Sequence, residues 1–199
     1  MRFEVIPVAR YGIDPRTIPA MDLRARNKGV TAGMNVATFH LGLRAPGKAA
    51  EGFKPLRFTK ASQGVGYYLD ANTRGVQVRT NDSHSESVFY RSDEFTGLRQ
   101  SEQWPTANVI EWVFTERPAC GGAWWGNKRI QGGCADILYN LDDAQRLRKW
   151  DRDPAEPEPY AVRPDLEITV ICLQLDPELT FLQNIKPALT AYKKANDIR

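Results

Sequence analysis

The sequence predicts a β-rich α+β domain: a mainly antiparallel twisted sheet or partly open barrel, closed by two late helices at about 141–150 and 177–196. Three observations predict it. Fifteen glycines and thirteen prolines cut the chain into short segments, which favours strands over long helices. Apolar residues alternate along several of those segments, the period of a strand. The period of a helix emerges only late in the chain. At 199 residues the chain suits one domain, 1–199, and no internal repeat points to a solenoid or propeller.

The elements follow in order. Arg2–Ala9 reads as a first strand, placed at an edge or ending near Pro7, which has no N–H to give a ladder. Residues 13–33 read as an irregular basic arm. Met34–Arg44 is a strand whose apolar parity shifts near Thr38, the mark of a bulge or of burial on both faces. A loop over 45–52 precedes strands at 53–59, 66–70 and 75–80, the last two joined by a turn at Asn72–Gly75. Ser87–Arg91 reads as another short strand, and Val109–Thr115 has the β-branched and aromatic content of a buried one.

Leu141–Trp150 opens on Asp142 and Asp143 and closes on Arg146, Arg148 and Lys149, charges that complement a helix dipole. Residues 151–164 form a proline-rich connector. Leu166–Leu175 alternates cleanly, and Asp176-Pro177-Glu178 reads as the start of a last helix with Leu182, Ile185, Leu189 and Tyr192 on one stripe. Pro187 predicts a kink there.

Composition narrows the function classes. No apolar run is long enough to span a bilayer, and the alternating amino terminus is no signal peptide, so a soluble cytoplasmic protein without a membrane partner is expected. Three cysteines, an odd and low count, fit free thiols in a reducing compartment. The net charge of +3 conceals an asymmetry: residues 1–60 carry 11 Lys/Arg against 4 Asp/Glu, and the remainder is acidic on balance. A basic stretch on an acidic chain suits a surface that meets phosphates or an acidic partner.

Catalytic signatures are sparse. The chain has no phosphate-binding loop, dinucleotide fingerprint or nucleophile elbow. His40, mid-strand between Phe39 and Leu41, reads as a structural histidine. His84 lies in a polar Asn-Asp-Ser-His-Ser-Glu-Ser stretch, where Asp82 or Glu86 could orient it as a general base. Cys120 and Cys134 supply only two metal ligands, so a zinc site would need completing by distant residues; no metal or cofactor is expected.

The most unusual segment is Cys120–Cys134, with five glycines, Trp124 and Trp125, and Lys128 and Arg129. Flat aromatic faces beside cations are what single-strand binding uses, although Trp and Arg are equally at home in protein interfaces. A second aromatic–basic stretch, Phe53–Lys60, alternates Lys54 and Arg57 onto opposite faces. The sequence therefore predicts a non-catalytic single-stranded nucleic-acid-binding protein, DNA or RNA, with Arg24, Arg26, Lys28, Lys54, Arg57, Trp124, Trp125, Lys128 and Arg129 as contact residues. Protein partners or self-association go with that reading. The alternative is an assembly subunit of a viral particle or other complex acting through protein contacts, and the third is a small hydrolase or nuclease using His84.

Overall fold

Val36–Leu43 (β2) is an interior strand of the sheet, and nearly every residue in it is apolar or small; only His40 and Leu43 are not fully buried. The computed structural model describes residues 1–44, 54–62, 66–69, 77–80, 84–101, 103–120, 123–125, 128–131, 133–146 and 164–199. Around β2 are Leu56–Ala61 (β3) on one side and Asn108–Thr115 (β6) on the other, both antiparallel to it. Thr169–Gln174 (β9) then pairs parallel with β6, and Arg2–Pro7 (β1) pairs parallel with β9 at the edge. The five-stranded order is β1-β9-β6-β2-β3. Gly66–Leu69 (β4) and Gln77–Thr80 (β5) form a separate antiparallel pair, as do Ala123–Trp125 (β7) and Lys128–Gln131 (β8).

Helices cover both faces of the sheet. On one face lie Ser85–Tyr90 (α2), Asp93–Gln100 (α3), the short turn Gln103–Thr106 (α4) and Cys134–Arg146 (α5). Their Phe89, Phe95, Leu98, Trp104, Leu138 and Leu141 pack on Phe39, Leu41, Ile110, Val113 and Val170. Phe89 stacks on Phe39 with ring centroids 3.8 Å apart and on Phe95 at 4.5 Å. The opposite face is covered by Ile18–Arg26 (α1) and Phe181–Ala195 (α6), whose Ala20, Met21 and Ile185 pack on Val36, Phe114, Ile171 and Leu173.

The structure is thus α+β, as the sequence predicts, but the sheet is mixed and does not close into a barrel. The parity shift read near Thr38 is a register irregularity between His40 and Leu41. Pro7 ends an edge strand. Four expectations change. Ser87–Arg91 is not a strand but most of α2, its aromatic and β-branched residues reporting burial of a six-residue helix rather than strand geometry. Residues 13–33 contain α1, whose inward stripe holds two alanines and Arg24, too little apolar contrast to betray a helix. The helix placed at 141–150 begins seven residues earlier, at Cys134; residues 147–150 and the connector up to 163 lie outside the described residues, as do the 45–52 loop and the 72–75 turn. The last helix starts at Phe181, because Thr180 forms a reciprocal capping box with Gln183, while Asp176 only turns the chain by accepting from the Glu178 N–H.

Leu182 consequently faces solvent, and Ile185 is the buried member of the predicted stripe, with Leu189 and Tyr192 partly covered. Pro187 lies inside α6, which continues through it to Ala195. Among the described residues no helix is long and apolar enough to cross a membrane.

Candidate metal centre

The site forms where three neighbouring strands end together. Because β2 runs against both β3 and β6, its first residues sit beside the last residues of each, with Val36 opposite Ala61 and Ala37 opposite Thr115. Asn35, Ser62 and Thr115 therefore meet. Asn35 donates from its side chain to Thr115 Oγ1 (2.8 Å) and Ser85 Oγ (3.0 Å), and Ser62 Oγ accepts from the Asn35 N–H (2.9 Å).

Helices α2 and α5 bring the chemistry to this end. His84 occupies the residue before α2, its carbonyl accepting from the Val88 N–H. Glu86, in the first turn, is 1% exposed; its Oε2 accepts from Ser85 Oγ (3.0 Å), and its Oε1 lies 3.1 Å from the Thr115 hydroxyl. Cys134 is the first residue of α5. That helix is bolted to the sheet by Gln145, which bonds both the N–H and the carbonyl of Ile110, and by Asp142, which accepts from the Ile168 N–H. Cys120 arrives on the segment after β6, and its sulfur accepts from the Cys134 N–H at 3.5 Å. The Ala135 N–H bonds the Cys120 carbonyl, closing the two cysteines onto each other.

His84 Nδ1 lies 3.3 Å from Cys134 Sγ and 3.4 Å from Cys120 Sγ. All three donor atoms fall within 4.8 Å of one another. Tetrahedral zinc, with bonds of about 2.3 Å to sulfur and about 2.0–2.1 Å to nitrogen, sets ligand N···S separations near 3.5 Å, so one ion fits among these atoms. Among the described residues three side chains converge, and three protein ligands with water in the fourth position is the pattern of a catalytic rather than a structural zinc. The Cys134 thiol is pushed well above its ordinary pKa by its hydrogen bond with Cys120, by burial and by the charge of Glu86. None of the three cysteines is in a disulfide.

The three residues of the cluster line a cavity of about 290 Å³ together with Glu86, Thr31, Met34, Asn35, Ser62 and Arg117. That is room for one small ring, at the bottom of the range for ligand pockets.

The residues singled out as nucleic-acid contacts are distributed differently. Arg24 is 6% exposed, its guanidinium held by Glu116 at 2.5 and 2.6 Å. Arg26, on the same helix, is exposed and pairs with Asp22. Lys28 and Lys54 are exposed, and Arg57 is exposed with its guanidinium 5.6 Å from the Trp112 ring centre. Trp124 stands opposite Arg129 and Trp125 opposite Lys128 in the β7–β8 hairpin. That hairpin is spliced between the two clustered cysteines. His40 stacks on Trp112 (5.0 Å, 19°), and burial lowers its pKa, as suits a structural histidine.

Sequence reasoning singled out His84 with Glu86, and Cys120 with Cys134, but did not join the two sets. The readable signal was His84-Ser85-Glu86 followed downstream by Pro118-Ala119-Cys120, a spacing that matters only once β6 and α5 return Cys120 and Cys134 to His84. In comparisons with known proteins, the chain matches no family model, no curated protein and no solved structure.

Proposed function

We propose that this protein is a zinc-dependent hydrolytic deaminase acting on an amino-substituted nucleobase ring. The observation that carries the reading is His84 Nδ1 set 3.3 and 3.4 Å from two cysteine sulfurs, with the buried carboxylate of Glu86 against the same cluster. A His/Cys/Cys zinc set with a nearby glutamate that is not a ligand is the machinery of nucleobase deaminases, written in sequence as His-x-Glu and Pro-Cys-x-x-Cys. This chain departs from that spacing twice. One residue separates Pro118 from Cys120, and thirteen separate the two cysteines.

A zinc ion held by the three side chains would supply Lewis acidity and draw the pKa of a water in the open position down to about 7. The chain's own part is proton handling. Glu86 takes one proton from the attacking water and gives it to the ring nitrogen, then takes the second from the hydroxyl so formed on the ring carbon and gives it to the departing amino group. The water oxygen bonds the ring carbon, the carbon–nitrogen bond breaks, and the products are a ring carbonyl and ammonia. Ser85 and Thr115 hold the Glu86 carboxylate in place, while Asn35 and Arg117 wall the space above it.

The test is ammonia release from cytidine, adenosine and single-stranded oligonucleotides by the zinc-loaded protein. Glu86→Gln is expected to keep its zinc and lose about 10²–10⁴ in rate. Absence of ammonia from every substrate, or an undiminished Glu86→Gln, would overturn the reading.

One observation favours nucleic acid as the carrier of the ring. The hairpin with Trp124, Trp125, Lys128 and Arg129 interrupts the span between two proposed ligands, which ties a stacking and cationic segment to the site. A non-catalytic single-strand binder is the second reading, and it predicts salt-dependent oligonucleotide affinity without ammonia release.

A further inference from the structure

We propose that Arg24 is a positioning residue for this site, fixing the 31–35 segment that walls the pocket and carries Asn35; the inference rests on the pocket being the substrate site. Arg24 comes from α1, on the far face of the sheet from His84 and Glu86, and has no place in the ligand cluster. Its Nε and Nη2 reach the two carboxylate oxygens of Glu116. The same guanidinium donates from Nη1 to the Thr31 carbonyl (3.1 Å) and from Nη2 to the Met34 carbonyl (2.7 Å). Glu116 in turn accepts from the Val36 N–H (2.8 Å) and from the Tyr11 hydroxyl. One buried ion pair thus grips both sides of Asn35, whose amide group lies 3.4 Å from Glu86 Oε1.

Arg117 grips the same segment from the other side, donating to the Ala32 carbonyl at 2.8 Å. Both guanidiniums stand over one ring: Phe181, at the start of α6, lies 4.3 Å from Arg117 and 5.1 Å from Arg24. Only a planar fork can bond a carboxylate twice and still donate to two carbonyls, so lysine keeps the charge here and loses the grip.

The experiment compares wild type and Arg24→Lys as full-length, zinc-loaded protein. Amide hydrogen exchange is read at Val30 and Met34, whose N–H groups close turns in this segment. The expected result is exchange about tenfold faster in this segment, with the absorption of the cobalt-substituted cluster unchanged. With cytidine as substrate, KM rises about tenfold and kcat stays within about twofold, since lost positioning appears first in binding. Unchanged exchange in a folded Arg24→Lys, or a lowered melting temperature with KM unmoved, would overturn the proposal. If Arg24→Lys does not fold, Phe181→Leu removes the shared ring and carries the same expectations and the same overturning results. If wild type releases no ammonia from cytidine, that failure belongs to the deaminase reading, and hydrogen exchange alone decides the role of Arg24.

Discussion

Two buried polar clusters lie close along the chain and behave in opposite ways. Around Glu116, every charge has its counter-charge: Arg24 fills both carboxylate oxygens, and the Val36 N–H and the Tyr11 hydroxyl take the remaining lone pairs. Around Cys120, four residues further on, two sulfurs and an imidazole nitrogen converge within 4.8 Å of one another. A satisfied buried network is a strut, because removing a partner strands a charge and nothing further is needed to complete it. Convergent soft donors beside a small cavity have the chemistry that suits a metal ion. The difference teaches that burial of polar groups alone does not mark a site; the direction in which their lone pairs point does.

That comparison can be broken at either cluster. The largest stability effect is expected at the strut. Glu116→Ala leaves Arg24 buried without its counter-charge and should cost about 3–5 kcal/mol, read from the urea midpoint, while zinc content per folded molecule stays unchanged. A loss below about 1 kcal/mol, small against that range, would show that the pair is not the strut described.

The smallest effect is expected at a half-exposed counterpart, where Arg16 bridges Glu4 and Asp14 at 2.7 Å each. The hydrogen bonds from Arg16 hold both carboxyls below their ordinary pKa values. A lowered folded pKa contributes stability that is present above the unfolded value, near 4, and is lost as pH falls through the folded one. Arg16→Ala should therefore cost less than about 1 kcal/mol at pH 7, after screening by solvent. The difference from wild type should shrink as pH falls below about 4, and denaturation midpoints taken across that range read it directly. A gap that widens in acid would contradict the assignment.

How much of this was legible in the sequence depends on the range over which the information acts. β2, β6 and β9 were readable because burial on both faces, or clean alternation, is written within eight residues. The edge position of β1 followed from Pro7 alone. Mixed sheet order was not readable: the pairing of β1 with β9 joins residues 2 and 169, and no local pattern encodes it. α1 escaped because Arg24 interrupts its buried stripe, and only Glu116, far along the chain, explains why an arginine belongs there. The same distance hid the candidate metal centre. His84 stood out as a histidine in a polar stretch, Cys120 and Cys134 as an isolated pair, and the thirteen residues between the cysteines matched no zinc spacing. What made them one site was α5, which begins at Cys134 and is pinned by Gln145 to β6 and by Asp142 to Ile168, the residue before β9.

The most direct test is zinc content of the purified full chain after equilibration with equimolar zinc and removal of unbound metal, for wild type and for His84→Ala, Cys120→Ser and Cys134→Ser. The account predicts about one zinc per wild-type molecule and loss of tight binding in each variant. Wild-type protein that retains no zinc, or variants that retain as much as wild type, would contradict it.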